Sequence, residues 1–190
     1  MAFIMKIRSE TIIVDSRMSF EEAIAGTAAP QEVIENLCLL DVSYYSFDGE
    51  LHLGQLLAGK PLRRELEDIF SRMRDLCFPV ERAIPIVRYA WSDLASMADN
   101  NTSCFNYRFV HNTTRLSRHA HGTAIDINPR QNPVVYRDGT SLPPGAVYSS
   151  TAEGAFSPLC PIRGEFLSRG WKWGGDFTAY KDYHHFEKLP

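Results

Sequence analysis

The 190-residue sequence lacks the features that mark several common classes of protein. Its formal net charge is −3, so it has no basic excess of the kind that nucleic-acid-binding proteins use to contact phosphates. Its longest apolar runs fall far short of the roughly 20 residues that span a membrane. Its cysteines contain no CxxC pair and do not cluster with histidines, which argues against a structural zinc site. We therefore expect no nucleic-acid partner, no membrane span and four free thiols.

The N-terminus lacks the long apolar core and the small-residue cleavage site of a signal peptide. This absence predicts a cytoplasmic protein, or a periplasmic or secreted one if a native leader precedes these residues. Internal repeats, low-complexity tracts and interdomain linkers are missing as well. We expect a monomer with one domain over residues 39–190 and a helical extension over residues 1–38 that packs on it.

Helix and strand signals are interspersed without the regular alternation of a parallel α/β fold. Ser19-Phe-Glu-Glu22 has the form of a capping box, and an apolar stripe predicts a helix from Pro61 to Cys77. Asp48-Gly49 predicts the turn of a hairpin. Strands are predicted over residues 40–47, 51–57, 84–89, 105–110 and 123–128, and near residue 185. This order favours an α+β fold, a single domain with a central, mainly antiparallel sheet flanked by helices.

Four of the six histidines fall in two short segments that also carry carboxylates. The first segment is Ser117-Arg-His119-Ala-His121-Gly122-Thr-Ala124-Ile-Asp126, and the second is Asp182-Tyr-His184-His185-Phe-Glu187. Imidazole nitrogens and carboxylate oxygens suit Zn²⁺, and three such ligands with one water form the arrangement of catalytic zinc sites. The two segments therefore predict one zinc ion.

The spacing in the first segment allows two ligands to converge. If Asp126 lies on a strand, its side chain projects from the face opposite to Ile125 and Ile127. Gly122 permits a tight turn before that strand, so that His119 can approach the same point.

The second segment supplies the third ligand. His185 is the best-placed candidate, and Asp182, three residues earlier, is close enough to hydrogen-bond a water molecule at the metal. His121, His184 and Glu187 remain alternatives, since each of them could replace a member of the ligand set.

The spaced pattern Ser-x-His-x-x-Gly-x-Ala-x-Asp, followed far downstream by acid-x-x-His, resembles that of a known family. It is similar to the zinc D-alanyl-D-alanine carboxypeptidases, D-Ala-D-Ala dipeptidases and L-alanyl-D-glutamate endopeptidases, which act on peptidoglycan. The segments over residues 100–108, 127–133 and 170–175 resemble the branch close to the endopeptidases. The resemblance covers about residues 40–188 and implies a hedgehog/DD-peptidase-like fold.

The resemblance also implies roles for individual residues. His119, Asp126 and His185 would be the ligands of one Zn²⁺ ion. Asp182, where many relatives have Glu, would be the general base and later the general acid. Arg108 would hold the scissile carbonyl or the oxyanion.

Other residues are candidates for contact with the substrate. Arg115 is the alternative to Arg108 as the group that holds the oxyanion. Ser117 would contact the substrate or support the ligands, and the region of Trp171, Trp173 and Tyr183 would form an aromatic wall of the cleft.

These residues predict a zinc metallopeptidase that hydrolyses peptidoglycan-type peptides. The sequence leaves two activities open, a D-Ala-D-Ala carboxypeptidase and an L-Ala-D-Glu endopeptidase, because no group that captures a terminal carboxylate is evident. The alternative is a non-catalytic, zinc-containing peptide-binding module of hedgehog-like fold, against which the intact Asp182 and Arg108 argue.

Overall fold

The computed structural model describes residues 12–110 and 113–189, which form helices and several small β-sheets. The helices are α1 (Phe20–Ala23), α2 (Gln31–Ile34), α3 (Arg63–Asp75), α4 (Asp93–Ala98) and α5 (Pro161–Ser168), with 3-10 helices at Lys60–Leu62, Ile86–Tyr89, Arg118–His121 and Gly174–Asp176. The strands are β1 (Ile13–Val14), β2 (Leu37–Tyr45), β3 (Leu51–Gly59), β4 (Arg82–Ala83), β5 (Asn101–Thr102), β6 (Ala124–Asp126), β7 (Val134–Val135), β8 (Ser141–Leu142), β9 (Lys172–Trp173), β10 (Lys181–Asp182) and β11 (His185–Glu187). This is the mixed α and β content that the sequence predicts.

The strands are distributed among four small sheets within the described residues. Their orders are β1-β3-β2, β10-β7-β8, β6-β11-β9 and β4-β5. Only the β1–β3 and β4–β5 pairs are parallel, so the pairing is mainly antiparallel. A hedgehog-like arrangement of these elements stays a prediction. None of the described helices has the length and apolar character needed to cross a bilayer.

The longest pairing is the predicted hairpin of β2 and β3, in register from Leu37 opposite Gly59 to Tyr45 opposite Leu51. Its turn uses the chemistry expected of Asp-Gly. Gly49 adopts a φ of +80°, and the Asp48 carboxylate accepts a hydrogen bond from the Glu50 N–H at 2.9 Å. The hairpin provides the surface on which α3 packs.

One large hydrophobic core lies between α3, the hairpin and the C-terminal strands. Helix α3 contributes a stripe of four buried side chains at helical spacing, as predicted from the sequence: Leu66, Ile69, Phe70 and Met73. Ile125 and Phe186 reach the same core from β6 and β11. The strands that carry the histidines and carboxylates are therefore anchored by their apolar faces.

The N-terminal helices pack on a second, smaller cluster of Leu37, Leu57 and Phe105. Helix α1 begins with the predicted capping box, in which Ser19 and Glu22 each accept a hydrogen bond from the other's backbone N–H. Residues 1–11 of the predicted extension lie outside the described residues. The division into an extension over 1–38 and a domain over 39–190 stays a prediction.

Two predicted strands are wrong. Residues 84–89 contain Pro85, which has no N–H to donate to a ladder, and a 3-10 helix follows it. Residues 105–110 are not a regular strand because their hydrogen bonds go to different segments. Phe105 donates to Leu57, and Asn106 donates to His119.

A buried histidine ties the segment that carries β1 to the hairpin. His52 Nδ1 lies 3.0 Å from the Asp15 carboxylate, and its Nε2 lies 3.1 Å from Asp48. Tyr44 donates its hydroxyl to Asp15 as well. Burial lowers the pKa of His52, but its hydrogen bonds with Asp15 and Asp48 outweigh this effect and raise the pKa above its ordinary value. The contacts with the two carboxylates thus favour the protonated form of the imidazole.

We expect the His52→Gln variant to lose stability in a pH-dependent way. Because the pKa of His52 is raised in the folded state, its contribution is complete below about pH 6.5 and is lost as the pH rises through the folded pKa. Urea unfolding at about pH 6 and pH 9 should show a loss of roughly 1–2 kcal/mol at the lower pH and a smaller loss at the higher. His121→Gln, at an exposed position, is the control. An equal loss at both pH values would contradict the expectation.

Candidate metal centre

The register of two short strands brings the first pair of predicted ligands together. Strands β6 and β11 are antiparallel, and Asp126 lies directly opposite His185. Residues opposite one another project from the same face, so these two side chains meet. A two-way backbone bridge to Ser103 fixes the other edge of Asp126, with N–O distances of 2.9 and 3.0 Å.

The third predicted ligand, His119, is held by a tight turn. It lies in the 3-10 helix Arg118–His121, which Ser117 caps by accepting the His119 N–H at 3.3 Å. Gly122 ends this helix with a φ of +63°, and a Cβ there would lie 2.5 Å from the backbone nitrogen of Gly59 on β3. Only glycine fits both the left-handed conformation and this close approach.

The three side chains converge on one point, as predicted. His119 Nε2 lies 3.1 Å from Asp126 Oδ2 and 3.2 Å from His185 Nδ1, and His185 Nδ1 lies 2.9 Å from Asp126 Oδ1. Ligands about 2.0–2.1 Å from a tetrahedral zinc ion lie roughly 3.3 Å from one another. The spacing of these donors therefore fits such an ion, and the group is able to bind a metal.

In His119 and His185, the imidazole nitrogen that points away from the centre already has a hydrogen-bond partner. His119 Nδ1 lies 2.5 Å from the Cys104 carbonyl oxygen, which can only accept, so this nitrogen carries the proton. His185 Nε2 lies 3.4 Å from the Glu187 carboxylate. If these nitrogens keep their protons, the nitrogens that point inward are the ones able to present lone pairs to a metal, in His185 only once its second proton is displaced.

The electrostatics of the centre favour a cation. All three ligand side chains are buried, and Asp126 is 4% exposed. Burial raises the pKa of Asp126, but His119 and His184 outweigh it and hold the pKa well below its usual range. Burial lowers the pKa of His185, but hydrogen bonds with Asp126 and Glu187 raise it to about 10. A metal ion at this point would replace the proton of His185 as the partner of the carboxylate.

Asp182, the predicted general base, is paired with a histidine outside the ligand group. His184 Nε2 lies 3.0 Å from Asp182 Oδ1, while its Nδ1 donates to the Asn132 carbonyl at 2.8 Å. Burial lowers the pKa of His184, but Asp182 and Asp126 raise it to about 9. Of the three alternative ligands, His184 and Glu187 thus contact members of the site, and His121 is exposed.

Glycine is required where Asp182 and His185 approach the 3-10 helix Gly174–Asp176. A Cβ on Gly174 would lie 2.4 Å from the carbonyl oxygen of Asp182, 2.8 Å from its Cβ and 3.2 Å from the Cβ of His185. The first two distances are shorter than any real contact, so a side chain here would displace Asp182. In the sequence, Gly174 is only one residue of the segment over residues 170–175. Its close approach to Asp182 is visible in the structure alone.

The other predicted residues lie around the centre in different ways. The Arg108 guanidinium pairs with Asp93 at 2.9 Å, and its backbone oxygen accepts the Ser117 N–H at 3.0 Å. Ser117 is buried and caps the turn of His119. Arg115 is exposed.

The predicted aromatic wall is largely turned toward the core. Trp173 is 3% exposed and donates its indole N–H to the Tyr183 carbonyl at 2.9 Å. The Tyr183 ring lies parallel to that of Tyr148 with centroids 3.5 Å apart. These contacts hold Tyr183, the residue after Asp182, and contact of either ring with substrate stays a prediction.

Three aromatic residues that the sequence did not single out lie beside the centre. We call Tyr136, Phe177 and Tyr180 the aromatic platform; each is partly exposed. Phe177 lies 6.1 Å from His185 and 5.8 Å from Tyr180, measured between ring centroids. Tyr180 precedes Asp182 by two residues, and this closeness in the sequence is the signal that could have identified it.

We expect Gly174→Ala to weaken zinc binding by at least about tenfold, because disturbed ligand geometry typically costs this much. Dialysis against a chelator of known affinity would measure the change. Gly164→Ala is the matched control, since a Cβ there meets nothing within 4 Å. Equal zinc affinity in the two variants would show that the close approach at Gly174 does not position the ligands.

Zinc affinity should rise with pH. The pKa of His185 is raised to about 10, so between about pH 6 and pH 8 a metal must displace its proton. One displaced proton corresponds to about a tenfold gain in apparent affinity per pH unit. Calorimetric titration in buffers of different ionisation enthalpy would measure both the affinity and the proton released. An affinity that does not change with pH would contradict this.

Comparison with known proteins agrees with the geometry. Curated proteins and solved structures gave no match. The sequence model of one family, described as D-alanyl-D-alanine carboxypeptidase, matches residues 111–188, a range that contains all three convergent ligands and Asp182. The resemblance predicted from the sequence is thereby confirmed: residues 111–188 match the zinc peptidase family of the D-alanyl-D-alanine carboxypeptidases.

Proposed function

We propose that this protein is a zinc-dependent peptidase that hydrolyses peptidoglycan-type peptides. The observation that carries the proposal is the convergence of two imidazole nitrogens and one carboxylate from His119, His185 and Asp126. The Asp182 carboxylate lies beside them, paired with His184. The family match over residues 111–188 supports a metallopeptidase. We further propose that the fold is hedgehog-like and that the protein acts as a monomer.

The reaction assigns separate tasks to the metal and to the protein. A zinc ion on the three ligands would lower the pKa of a water molecule toward about 7 and polarise the scissile carbonyl. Asp182 accepts a proton from the attacking water and transfers it to the leaving nitrogen, so that one carboxylate acts as base and then as acid. His184 holds Asp182 in place through its ion pair.

Arg108 is the proposed partner of the oxyanion. Its backbone is tied to Ser117, two residues before His119, which keeps it close to the turn that carries the ligand. A developing negative charge would compete with Asp93 for the guanidinium, and such stabilisation is often worth a few kcal/mol. Ser117 supports this arrangement as the cap of the turn.

Two bonds are candidates for hydrolysis, D-Ala-D-Ala and L-Ala-D-Glu. The charged groups around Asp126 support a metal site and a base, but they do not indicate which side of the peptide enters the cleft. A digest of defined muropeptides, with the cleaved bond assigned by mass spectrometry, would decide between carboxypeptidase and endopeptidase.

We expect Asp182→Asn to lower kcat by about 10²- to 10⁴-fold while zinc content stays at one ion per chain. The amide keeps the shape of the side chain but cannot accept the proton. Asp138→Asn, in an exposed turn of the neighbouring β7–β8 hairpin, is the matched control. Release of amine from a muropeptide measures the rate.

The outcomes of the Asp182→Asn experiment distinguish a peptidase from a non-catalytic peptide-binding module. Zinc-loaded protein that binds a muropeptide with no detectable cleavage would favour a non-catalytic peptide-binding module. Turnover that is unchanged in Asp182→Asn would remove Asp182 from the reaction. Loss of turnover together with loss of zinc would show that the substitution acts through the metal centre.

A further inference from the structure

The aromatic platform lies next to the strand pair that carries the proposed general base. Strands β7 and β10 pair with Asp182 opposite Val134 and Lys181 opposite Val135, so Tyr136 and Tyr180 are the next neighbours along the two chains. Their rings lie 5.9 Å apart at an angle of 39°. Tyr180 comes directly before β10 and Tyr136 directly after β7, so both rings lie at the end of the strand pair that carries Asp182.

The platform is continuous with the metal centre. The Phe177 ring lies at 78° to that of Tyr180 and at 50° to the imidazole of His185. Arg137 donates to the Thr178 carbonyl at 3.2 Å, which ties the segment of Phe177 and Tyr180 back to the chain that follows Tyr136. The three rings are thus held against each other beside a ligand and the base.

The phenols of the platform are available to a ligand. Neither the Tyr136 nor the Tyr180 hydroxyl has a hydrogen-bond partner among the residues that the structure describes. Burial and then the charge of Asp182 raise the pKa of both tyrosines, so both stay protonated and remain donors at neutral pH. Tyr183 differs, because its ring is already covered by the ring of Tyr148.

We propose that the platform of Tyr136, Phe177 and Tyr180 is a substrate-binding and specificity-determining subsite, which holds the peptide residue beside the scissile bond. The ring faces contact the aliphatic part of that residue, and the phenol hydroxyls donate to its carbonyl oxygens. The inference rests on the proposed peptidase function. It assigns to these residues the contact that the sequence assigned to Trp173 and Tyr183.

Paired substitutions separate the rings from the hydroxyls. The double variant Tyr136→Ala/Tyr180→Ala should raise KM for a muropeptide by about tenfold or more and change kcat by less than about threefold, since uniform binding is lost. Tyr136→Phe/Tyr180→Phe keeps the rings and should raise KM by a smaller factor, about threefold. Tyr89→Ala, which removes a tyrosine that binds Asp99 outside the centre, is the control.

A binding measurement keeps this test independent of catalysis. Calorimetry with the same muropeptide and zinc-loaded Asp182→Asn protein gives an affinity even if the wild type cleaves nothing. The alanine pair in that background should weaken binding by about the same factor, with zinc content unchanged. Unchanged affinity and unchanged KM in the alanine pair would overturn the subsite, whereas absent turnover with platform-dependent binding would overturn only the peptidase.

Discussion

The metal centre depends on the register between β6 and β11. Asp126 and His185 are 59 residues apart in the chain, and only their direct opposition across an antiparallel pair lets both side chains point at one spot. A slip of one residue by either strand would turn its polar side chain, Asp126 or His185, toward the core and its apolar neighbour, Ile125 or Phe186, away from it. Those two side chains are fully buried, so the packing of the apolar face fixes the position of the polar one.

The same centre concentrates charge that burial alone would disfavour. Asp126 is surrounded by His119, His184 and His185, and all four side chains are almost inaccessible to water. Buried ionic groups lose hydration and gain little net stability unless each is paired. A divalent cation bound between these side chains would offset this loss, and metal binding would then be thermodynamically linked to folding.

The sequence predicted the convergence of His119 and Asp126 because the pattern that brings them together is local. His119, Gly122 and Asp126 lie within one turn and one strand, where alternation and glycine conformation are sufficient to predict convergence. The pattern also predicted the capping box at Ser19 and the hairpin at Asp48-Gly49, since both are set by neighbours in the chain.

Contacts that depend on tertiary packing cannot be predicted from the sequence pattern. The outer partner of His119 is the backbone carbonyl of Cys104, for which no side-chain pattern exists. The platform lies at the end of two two-residue strands, β7 and β10, for which the sequence carries no strand signal. The sequence predicts that Trp173 faces the cleft, yet its side chain is 3% exposed, because aromatic content alone does not reveal which side of a strand faces the core.

The backbone contact between Gly122 and Gly59 connects the metal site to a distant part of the architecture. The Gly59 N–H donates to the Gly122 carbonyl at 3.0 Å, with no side chain between the two segments. The end of the β2–β3 hairpin therefore supports the turn that carries His119. A substitution or insertion that lengthens, twists or thickens this edge of the hairpin would therefore change the geometry of the metal centre. It would do so without altering any of the predicted ligands.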